Sequence, residues 1–156
     1  MNRDVFDEYY PKIYNYIYYR VLHRETAEDL TSETFYKAVA FAASFDERKA
    51  SYKTWIFTLA HNVVANYYRG RKNDSPIDDF EFADDEAGVD ESLIVKEDMK
   101  KLHGLLKTLP KREREVLALR YWGDMSYRDI AERTGISEKN VGVILSRTIT
   151  KLKNSW

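Results

Sequence analysis

Residues 126–153 read SYRDIAERTGISEKNVGVILSRTITKLK, and this stretch decides the fold. Ser126, with an acidic residue three positions later, has the form of a capping box and predicts the start of a short helix. Gly135 stands where the chain must turn, because a residue without Cβ takes positive φ at little cost. Ile136 is predicted to plug the corner, and Ser137 is predicted to cap a longer helix. A short helix, a glycine turn and a capped longer helix form a helix-turn-helix.

The second helix of this motif carries the side chains that predict DNA binding. In a helix-turn-helix, the N-terminal residues of the second helix lie nearest the base edges of the major groove. Lys139 suits a guanine or phosphate acceptor, Asn140 suits an adenine edge, and Val143 suits a thymine methyl group. The alternative is a helical hairpin with a solvated charged face. The occurrence of a turn glycine, an apolar corner residue and a capping serine in the right order disfavours this alternative. At about 100° per residue, the inward side of this helix is predicted to hold Val141, Leu145, Thr148 and Leu152.

Most of the remaining sequence has helical periodicity. Apolar residues recur at helical spacing over residues 6–21, and a capping box at Thr26 predicts a second helix to about residue 43. A polar turn follows, and a third helix is predicted from about residue 54 to a stop at Gly70. A further helix begins near residue 91 and ends at Pro110, which can also start the next one.

Charge divides the chain into three blocks, although the net charge is only −1. Residues 1–72 carry 11 Lys and Arg against 9 Asp and Glu, residues 73–98 carry one lysine against 11 acids, and residues 99–156 carry 13 basic against 6 acidic residues. The acidic block has too few apolar residues to offset the entropy of ordering, which predicts a flexible linker. The fold class expected is all-α, with two small helical domains at 1–72 and 91–156 joined by an acidic linker at 73–90.

The composition argues against several classes of protein. The chain has no cysteine and only three histidines, so disulfides, thiolate chemistry and a histidine-rich metal site are not expected, and no cofactor is expected. No apolar run approaches the roughly 18 residues of a membrane span, and the N-terminus lacks a signal-peptide core. A cytoplasmic protein without membrane insertion is the expectation.

Three separate stretches resemble the extracytoplasmic-function sigma factors of bacterial RNA polymerase. LPKREREVL at 109–117, with MSYRDIA at 125–131, resembles their C-terminal domain, which reads the minus-35 promoter element. DLTSETF at 29–35 resembles their core-polymerase-binding segment, and YKTWIFTLAHN at 52–62 resembles their minus-10 segment. The resemblance covers nearly the whole chain in the right order. It implies a non-enzymatic factor that binds core RNA polymerase and promoter DNA as a monomer, directs promoter recognition and transcription initiation, and is regulated by an anti-sigma factor.

The resemblance also assigns residues to the polymerase contact. Asp29 and Glu33 are four residues apart and therefore share one face of a helix. In the family this face docks on a coiled coil of the largest polymerase subunit, which implies contacts from Asp29, Leu30, Glu33 and Phe35. For Phe35 a place in the hydrophobic core is an equally good interpretation.

Promoter opening requires bases to leave the stack, which favours aromatic platforms among basic residues. By the resemblance, the loop at 45–53 holds a flipped minus-10 base and the following helix contacts the strand. Trp55 is better interpreted as a buried core residue than as a residue on which a base stacks. The minus-10 residues are expected to be Arg48, Lys49, Tyr52, Lys53, Trp55, Asn62, Asn66 and Arg69.

The minus-35 assignment follows the helix-turn-helix, with phosphate contacts further along its second helix. Relatives often carry basic residues where this sequence has Gly142 and Ile144, which puts base contacts at those two positions in doubt. The minus-35 residues are expected to be Arg128, Ser137, Glu138, Lys139, Asn140, Val143, Ser146, Arg147 and Lys151.

Three other interpretations compete with this one. A helix-turn-helix regulator without sigma activity would explain the C-terminal block, and would typically bind a palindrome as a dimer. An enzyme built on the linker acids would lack a buried, oriented site. An adaptor that binds polymerase without DNA fits poorly with the basic C-terminal block. The acidic linker itself suits a nucleic-acid mimic and a solubilising spacer equally well.

Overall fold

The structure, a computed structural model, describes residues 2–71 and 93–156. The acidic linker expected at 73–90 lies outside the described residues. All regular structure in these two ranges is helical, which confirms the all-α class, and none of the helices there is long and apolar enough to cross a membrane. The elements are α1 (Arg3–Val21), α2 (Arg24–Ala40), a 3₁₀ turn (Ala42–Ser44), α3 (Tyr52–Gly70), α4 (Leu93–Lys107), α5 (Lys111–Tyr121), α6 (Tyr127–Thr134) and α7 (Glu138–Ser155).

The caps of the helix-turn-helix are confirmed. The Ser126 hydroxyl accepts a hydrogen bond from the backbone N–H of Asp129 at 3.1 Å. The Ser137 hydroxyl accepts one from the N–H of Asn140 at 3.2 Å. Each bond satisfies one of the N–H groups that the first turn of a helix leaves without an intrahelical partner.

The first boundary of α2 differs from the prediction. This helix begins at Arg24, and the Nδ1 atom of the His23 ring accepts a hydrogen bond from the backbone N–H of Thr26 at 3.3 Å. Thr26 therefore lies inside the first turn and does not cap the helix. The capping-box prediction at Thr26 is wrong because a histidine ring nitrogen takes the place of the usual hydroxyl.

Of the next three predicted boundaries, one differs in detail. The helix predicted to run to about residue 43 ends at Ala40, where the chain tightens into the 3₁₀ turn. Gly70 is the last residue of α3, so the predicted stop there is confirmed, although its φ is not positive. The predicted role of Pro110 is confirmed, since it stands immediately before α5 with φ of −56°.

The core of the N-terminal half lies between α1, α2 and α3. Tyr16 of α1 and Phe57 of α3 are both fully buried, and their rings meet edge to face with centroids 5.7 Å apart. Such a geometry sets the positive edge of one ring against the negative face of the other. Other residues buried in this half are Ile13, Ile17, Val21, Ala27, Ala38, Ile56, Ala60, Val63 and Val64.

The C-terminal half is a helix-turn-helix supported by α4 and α5. Gly135 has φ of +77°, as the turn requires, and Ile136 is buried at the corner. Val141 and Leu145 of α7 are buried beside Ile130 of α6, so the predicted inward side of α7 is confirmed.

The two halves are packed against each other, with α1 lying on α5. Arg20 of α1 is only 5% exposed, and its guanidinium donates to the carboxylate of Glu115 on α5 at 2.9 Å. The ring of Tyr19 stacks on the indole of Trp122, with centroids 4.2 Å apart and planes inclined by 15°. The packing brings into contact two groups of helices that were expected to be separate units.

Candidate nucleic-acid interfaces

The outer face of α7 is a polar surface with one open groove. The cap at Ser137 fixes the start of the helix and leaves the side chains of its first turn exposed. The predicted residues on this exposed face are Ser137, Glu138, Lys139, Asn140, Val143, Ser146 and Arg147. The groove has a volume of about 560 Å³ and is lined by Lys139, Gly142, Val143, Ser146, Arg147 and Thr150. A helix that presents cations, an amide and a methyl group along one face has the groups needed to read base edges.

Two of the predicted cations at this end of the chain are partly engaged within the protein. Lys151 donates to the carboxylate of Glu113 on α5 at 3.0 Å. Arg128 lies 3.7 Å from Glu132, one helical turn away, and both side chains are largely exposed. An exposed pair of this kind contributes little to stability, so Arg128 can exchange Glu132 for a phosphate at small cost. Lys151 must leave Glu113 first.

Gly142 has a packing explanation in this structure. A Cβ added at position 142 would meet the ring edge of Tyr127 at 3.4 Å. The guanidinium of Arg120 lies over the same ring, 5.1 Å from its centroid, which fixes the ring against α7. The ring of Tyr127 therefore covers the face of α7 at Gly142.

We expect Gly142→Ala to raise the free energy of unfolding by about 0.5–1 kcal/mol, because alanine has the higher helix propensity and the added methyl group meets the ring in ordinary contact. Thermal denaturation measures this change. Gly104→Ala in α4 is the matched control, since a Cβ there meets nothing within 4 Å and reports propensity alone. A Gly142→Ala protein less stable than the wild type, beside a stabilised Gly104→Ala protein, would mean that Tyr127 cannot accommodate the methyl group.

The exposed side of α3 carries the second group of predicted DNA contacts. Asn62, Asn66 and Arg69 lie on one face and are all exposed, and Arg69 donates to the side-chain oxygen of Asn66. Lys53, at the start of α3, is paired with the carboxylate of Asp124 in the C-terminal half. Three of these four predicted residues are therefore available to a ligand in the packed structure, and Lys53 is engaged.

The loop before α3 leads into an aromatic cavity. The rings of Phe45, Tyr52 and Trp55 lie with centroids 5.3–5.5 Å apart. These rings line a cavity of about 130 Å³ together with Asn2, Val5, Ala38 and Ala42. Trp55 is half-buried, so its exposure is intermediate between that of a core residue and that of a ring open for stacking. The cavity can hold a flat ring system by stacking.

The turn at Asp46 shapes the basic side of this loop. The Asp46 carboxylate accepts hydrogen bonds from the backbone N–H of Arg48 at 3.0 Å and from its Nε at 3.1 Å. These bonds hold the pKa of Asp46 below its ordinary value. Arg48 and Lys49 remain exposed beside the aromatic cavity, where a phosphate could reach them.

On α2 the predicted residues are divided between surface and core. Asp29 and Glu33 are exposed, and Glu33 lies 3.3 Å from Lys37 on the next turn. Leu30 is 7% exposed and Phe35 is 6% exposed. The structure thus places Leu30 and Phe35 in the core, where they support the helix and offer almost no surface to a partner. The ring of Phe35 packs on Phe6 and Tyr10, with centroids 5.0 and 5.6 Å apart.

Known proteins match this chain in both halves. Residues 5–73 match the family Sigma-70 region 2, and residues 99–152 match Sigma-70, region 4. RNA polymerase sigma factor YlaC of Bacillus subtilis is 33% identical, and the alignment covers 97% of this chain and 90% of YlaC. ECF RNA polymerase sigma factor SigM of the same organism is 28% identical over 96% of this chain and 91% of SigM. This chain belongs to the extracytoplasmic-function sigma factors. It therefore serves promoter recognition and transcription initiation.

One solved structure has the same fold as this chain. It is the complex of the sigma factor RpoE with the anti-sigma factor NepR from Bartonella quintana, and the likeness has a TM-score of 0.76 at 21% identity. The alignment covers 98% of this sigma factor and 94% of that chain, so the likeness includes both halves.

Sequence reasoning missed two exposed residues on α2 of the sigma factor. Tyr36 is 75% exposed and Val39 is 57% exposed, and they continue the exposed stripe that begins at Asp29 and Glu33. The spacing of three and four residues was the signal that could have found them, because residues so spaced lie on the same face of a helix. We call the four residues Asp29, Glu33, Tyr36 and Val39 the α2 stripe.

Proposed function

We propose that the sigma factor uses three separate surfaces, one for each ligand. The α2 stripe binds core RNA polymerase, the exposed side of α3 with the loop before it binds the minus-10 element, and the outer face of α7 binds the minus-35 element. In this proposal residues 1–72 and 91–156 are the two binding domains and 73–90 is the linker. The observation that carries it is the exposure of the polar residues on these faces, while Leu30, Phe35 and the inward side of α7 are buried.

The character of the α2 stripe supports a protein partner. Two carboxylates are followed by a phenol and an isopropyl group on one exposed face, and large exposed apolar side chains mark interaction sites when they are contiguous. Tyrosine at the centre of such a face adds a large rigid contact with a polar end. The two acids would steer a basic surface of the polymerase to this face.

The partners of relatives extend the proposal. The solved sigma factor RpoE is bound to an anti-sigma factor, and the similarity of the fold over both halves supports an inhibitor of that class for this chain. We infer that the chain works in the cytoplasm with the polymerase and has no catalytic activity of its own. Affinity purification of the tagged protein should recover complexes that contain either polymerase subunits or the inhibitor. A complex that contains both the inhibitor and active polymerase would contradict the proposed inhibitor.

We expect Asn140→Ala to weaken binding to a minus-35 duplex by about 5- to 100-fold, because a bidentate contact to a base edge contributes about 1–3 kcal/mol of discrimination. Fluorescence anisotropy with promoter duplexes measures the change. Asn154→Ala is the matched control, since Asn154 is an exposed asparagine in the last turn of the same helix. Equal affinities for the two variants would remove Asn140 from the reading face.

Run-off transcription with purified core polymerase on a genomic promoter pool tests the proposed function as a whole. New start sites preceded by a shared pair of elements are expected only when the protein is added. Specific binding to a palindrome, with no start sites and no co-elution with core polymerase, would favour the helix-turn-helix regulator instead.

A further inference from the structure

One carboxylate joins α5 to α7 within the C-terminal half. The Oε1 atom of Glu113 accepts a hydrogen bond from the hydroxyl of Thr148 at 3.1 Å and another from the ammonium group of Lys151 at 3.0 Å. Thr148 is fully buried, and the side chain of Glu113 is only 19% exposed. A single oxygen atom therefore holds both a buried hydroxyl and a cation that the sequence predicts to contact the minus-35 element.

The carboxylate of Glu113 is also favoured by its position in its own helix. Glu113 is the third residue of α5, where the positive end of the helix dipole stabilises an acidic side chain. The pair of Arg128 with Glu132 differs, because both of those side chains are largely exposed and lose entropy when they pair. Glu113 is already ordered by Thr148, so its pair with Lys151 costs less entropy. We therefore expect the Glu113–Lys151 pair to persist beside DNA.

The bond from Thr148 to Glu113 also constrains the direction of α7. The apolar packing of Val141 and Leu145 on the inward side of α7 is non-directional, whereas a hydrogen bond depends on its angle. Asn140 lies eight residues before Thr148, which is about 12 Å along the helix axis. A tilt of about 10° at Thr148 would move Asn140 by roughly 2 Å, which exceeds the ~0.5 Å within which binding groups must be held. The bond is thus suited to keep the reading side chains aligned.

The same carboxylate opposes the binding of phosphate. Lys151 can neutralise a phosphate only after it leaves Oε1 of Glu113, and the carboxylate then remains as a negative charge near the DNA backbone. Affinity for DNA of any sequence rises with the number of phosphates that Lys and Arg neutralise. Few other cations of α7 can compensate, because Gly142 and Ile144 are uncharged. Glu113 therefore lowers non-specific affinity.

We propose that Glu113 is a positioning residue for minus-35 recognition. Through Thr148 it sets the direction of α7, and by holding Lys151 it keeps that cation away from phosphate. The sigma factor thereby has lower affinity for DNA of any sequence and stronger discrimination between sequences. The inference rests on the proposed function of the outer face of α7.

The effect on phosphate binding is tested with Glu113→Gln, which keeps an oxygen acceptor for Thr148 and removes the charge. Fluorescence anisotropy of the full chain with a short random-sequence duplex is measured over a series of salt concentrations. The affinity should rise by about 3- to 10-fold, and the slope of log affinity against log salt should steepen by about 0.9, the value for one added phosphate contact. Adding Lys151→Ala should remove this gain.

Glu97→Gln is the matched control for charge, because Glu97 is exposed on α4, outside the helix-turn-helix. This variant should keep the wild-type slope. An unchanged slope in Glu113→Gln, or the same steepening in the control, would overturn the claim that Glu113 keeps Lys151 from phosphate. A gain that survives Lys151→Ala would overturn it as well.

The effect on positioning is tested by the ratio of affinities for two duplexes, one from a promoter found by run-off transcription and one of random sequence. Thr148→Val removes the hydroxyl at nearly constant shape, and Glu113→Ala removes its acceptor. The ratio should fall by about tenfold in both, which equals the loss of roughly one base pair of discrimination. It should stay near the wild-type value in Glu113→Gln, because the amide oxygen restores the bond. Thr108→Val is the control, since Thr108 is exposed and bonds within its own turn of α4.

The outcomes separate this inference from the proposed function. Circular dichroism at the assay temperature should show that each variant keeps its helices. A wild type that binds both duplexes equally would overturn the proposed function of α7 and the inference together. A wild type that discriminates, beside Thr148→Val and Glu113→Ala proteins with the same ratio, would overturn the inference alone. A reduced ratio in Glu113→Gln as large as that in Glu113→Ala would also overturn it, because the hydrogen bond would then not be the cause.

Discussion

Replacing Asp29 and Glu33 together with arginine is expected to reduce the affinity for core RNA polymerase by about 100-fold or more. Both carboxylates are exposed on the α2 stripe, and reversing them places like charges against the basic surface that the stripe is proposed to meet. Like-charge contacts across an interface cost several kcal/mol, and two adjacent ones should remove stable binding. Co-elution with core polymerase, followed by titration of labelled protein, measures the loss.

The matched control for this experiment is Asp7→Arg with Glu8→Arg. These two acids are exposed near the start of α1 and give the same change in net charge away from the α2 stripe. The control should bind core polymerase nearly as well as the wild type. Retained binding by the α2 double variant would remove this face from the polymerase contact, and equal loss in both would indicate an effect of net charge.

Phe57→Ala should destabilise the protein by about 3–5 kcal/mol, the range for removal of a buried aromatic ring. Phe57 is 1% exposed at the centre of the N-terminal core, and its loss leaves Tyr16 without an edge-to-face partner. The melting temperature should fall by about 10 °C, since 1 kcal/mol corresponds to about 2–4 °C in a chain of this size.

Phe41→Ala provides the comparison for the same chemical change. The ring of Phe41 is 53% exposed just after α2, so its removal should alter the stability by less than about 0.5 kcal/mol. Thermal and denaturant unfolding of the two variants should therefore differ widely. A Phe57→Ala protein that melts within about 2 °C of the wild type would show that the core between α1 and α3 is loosely packed.

The helix-turn-helix could be predicted from the sequence because its signals are local. Ser126, Gly135 and Ser137 each act on backbone groups within three or four residues, so the residue type alone indicates the conformation. The inward side of α7 also followed from helical spacing. The prediction failed at Thr26 for a related reason, because the rule favours hydroxyl caps and overlooks a histidine ring nitrogen.

Long-range contacts leave no comparable signal in the amino-acid sequence. The pairing of Arg20 with Glu115 joins residues 95 positions apart, and an arginine next to two tyrosines on α1 has the pattern of an ordinary surface cation. Its burial arises only when α1 lies on α5. The same limit affected Leu30 and Phe35, because a seven-residue motif shared with relatives does not distinguish the residues that touch a partner from those that support the helix.

The distance along the chain between Arg20 and Glu115 has a consequence for synthesis on the ribosome. The residues of α1, α2 and α3 have all been made once Gly70 is added, whereas Glu115 follows 45 residues later and Asp124 follows 54 residues later. At about 5–20 residues per second, that delay lasts roughly 2–11 s. During it Arg20 and Lys53 lack their C-terminal partners. The contacts between the two halves can therefore form only after translation has delivered Glu115 and Asp124.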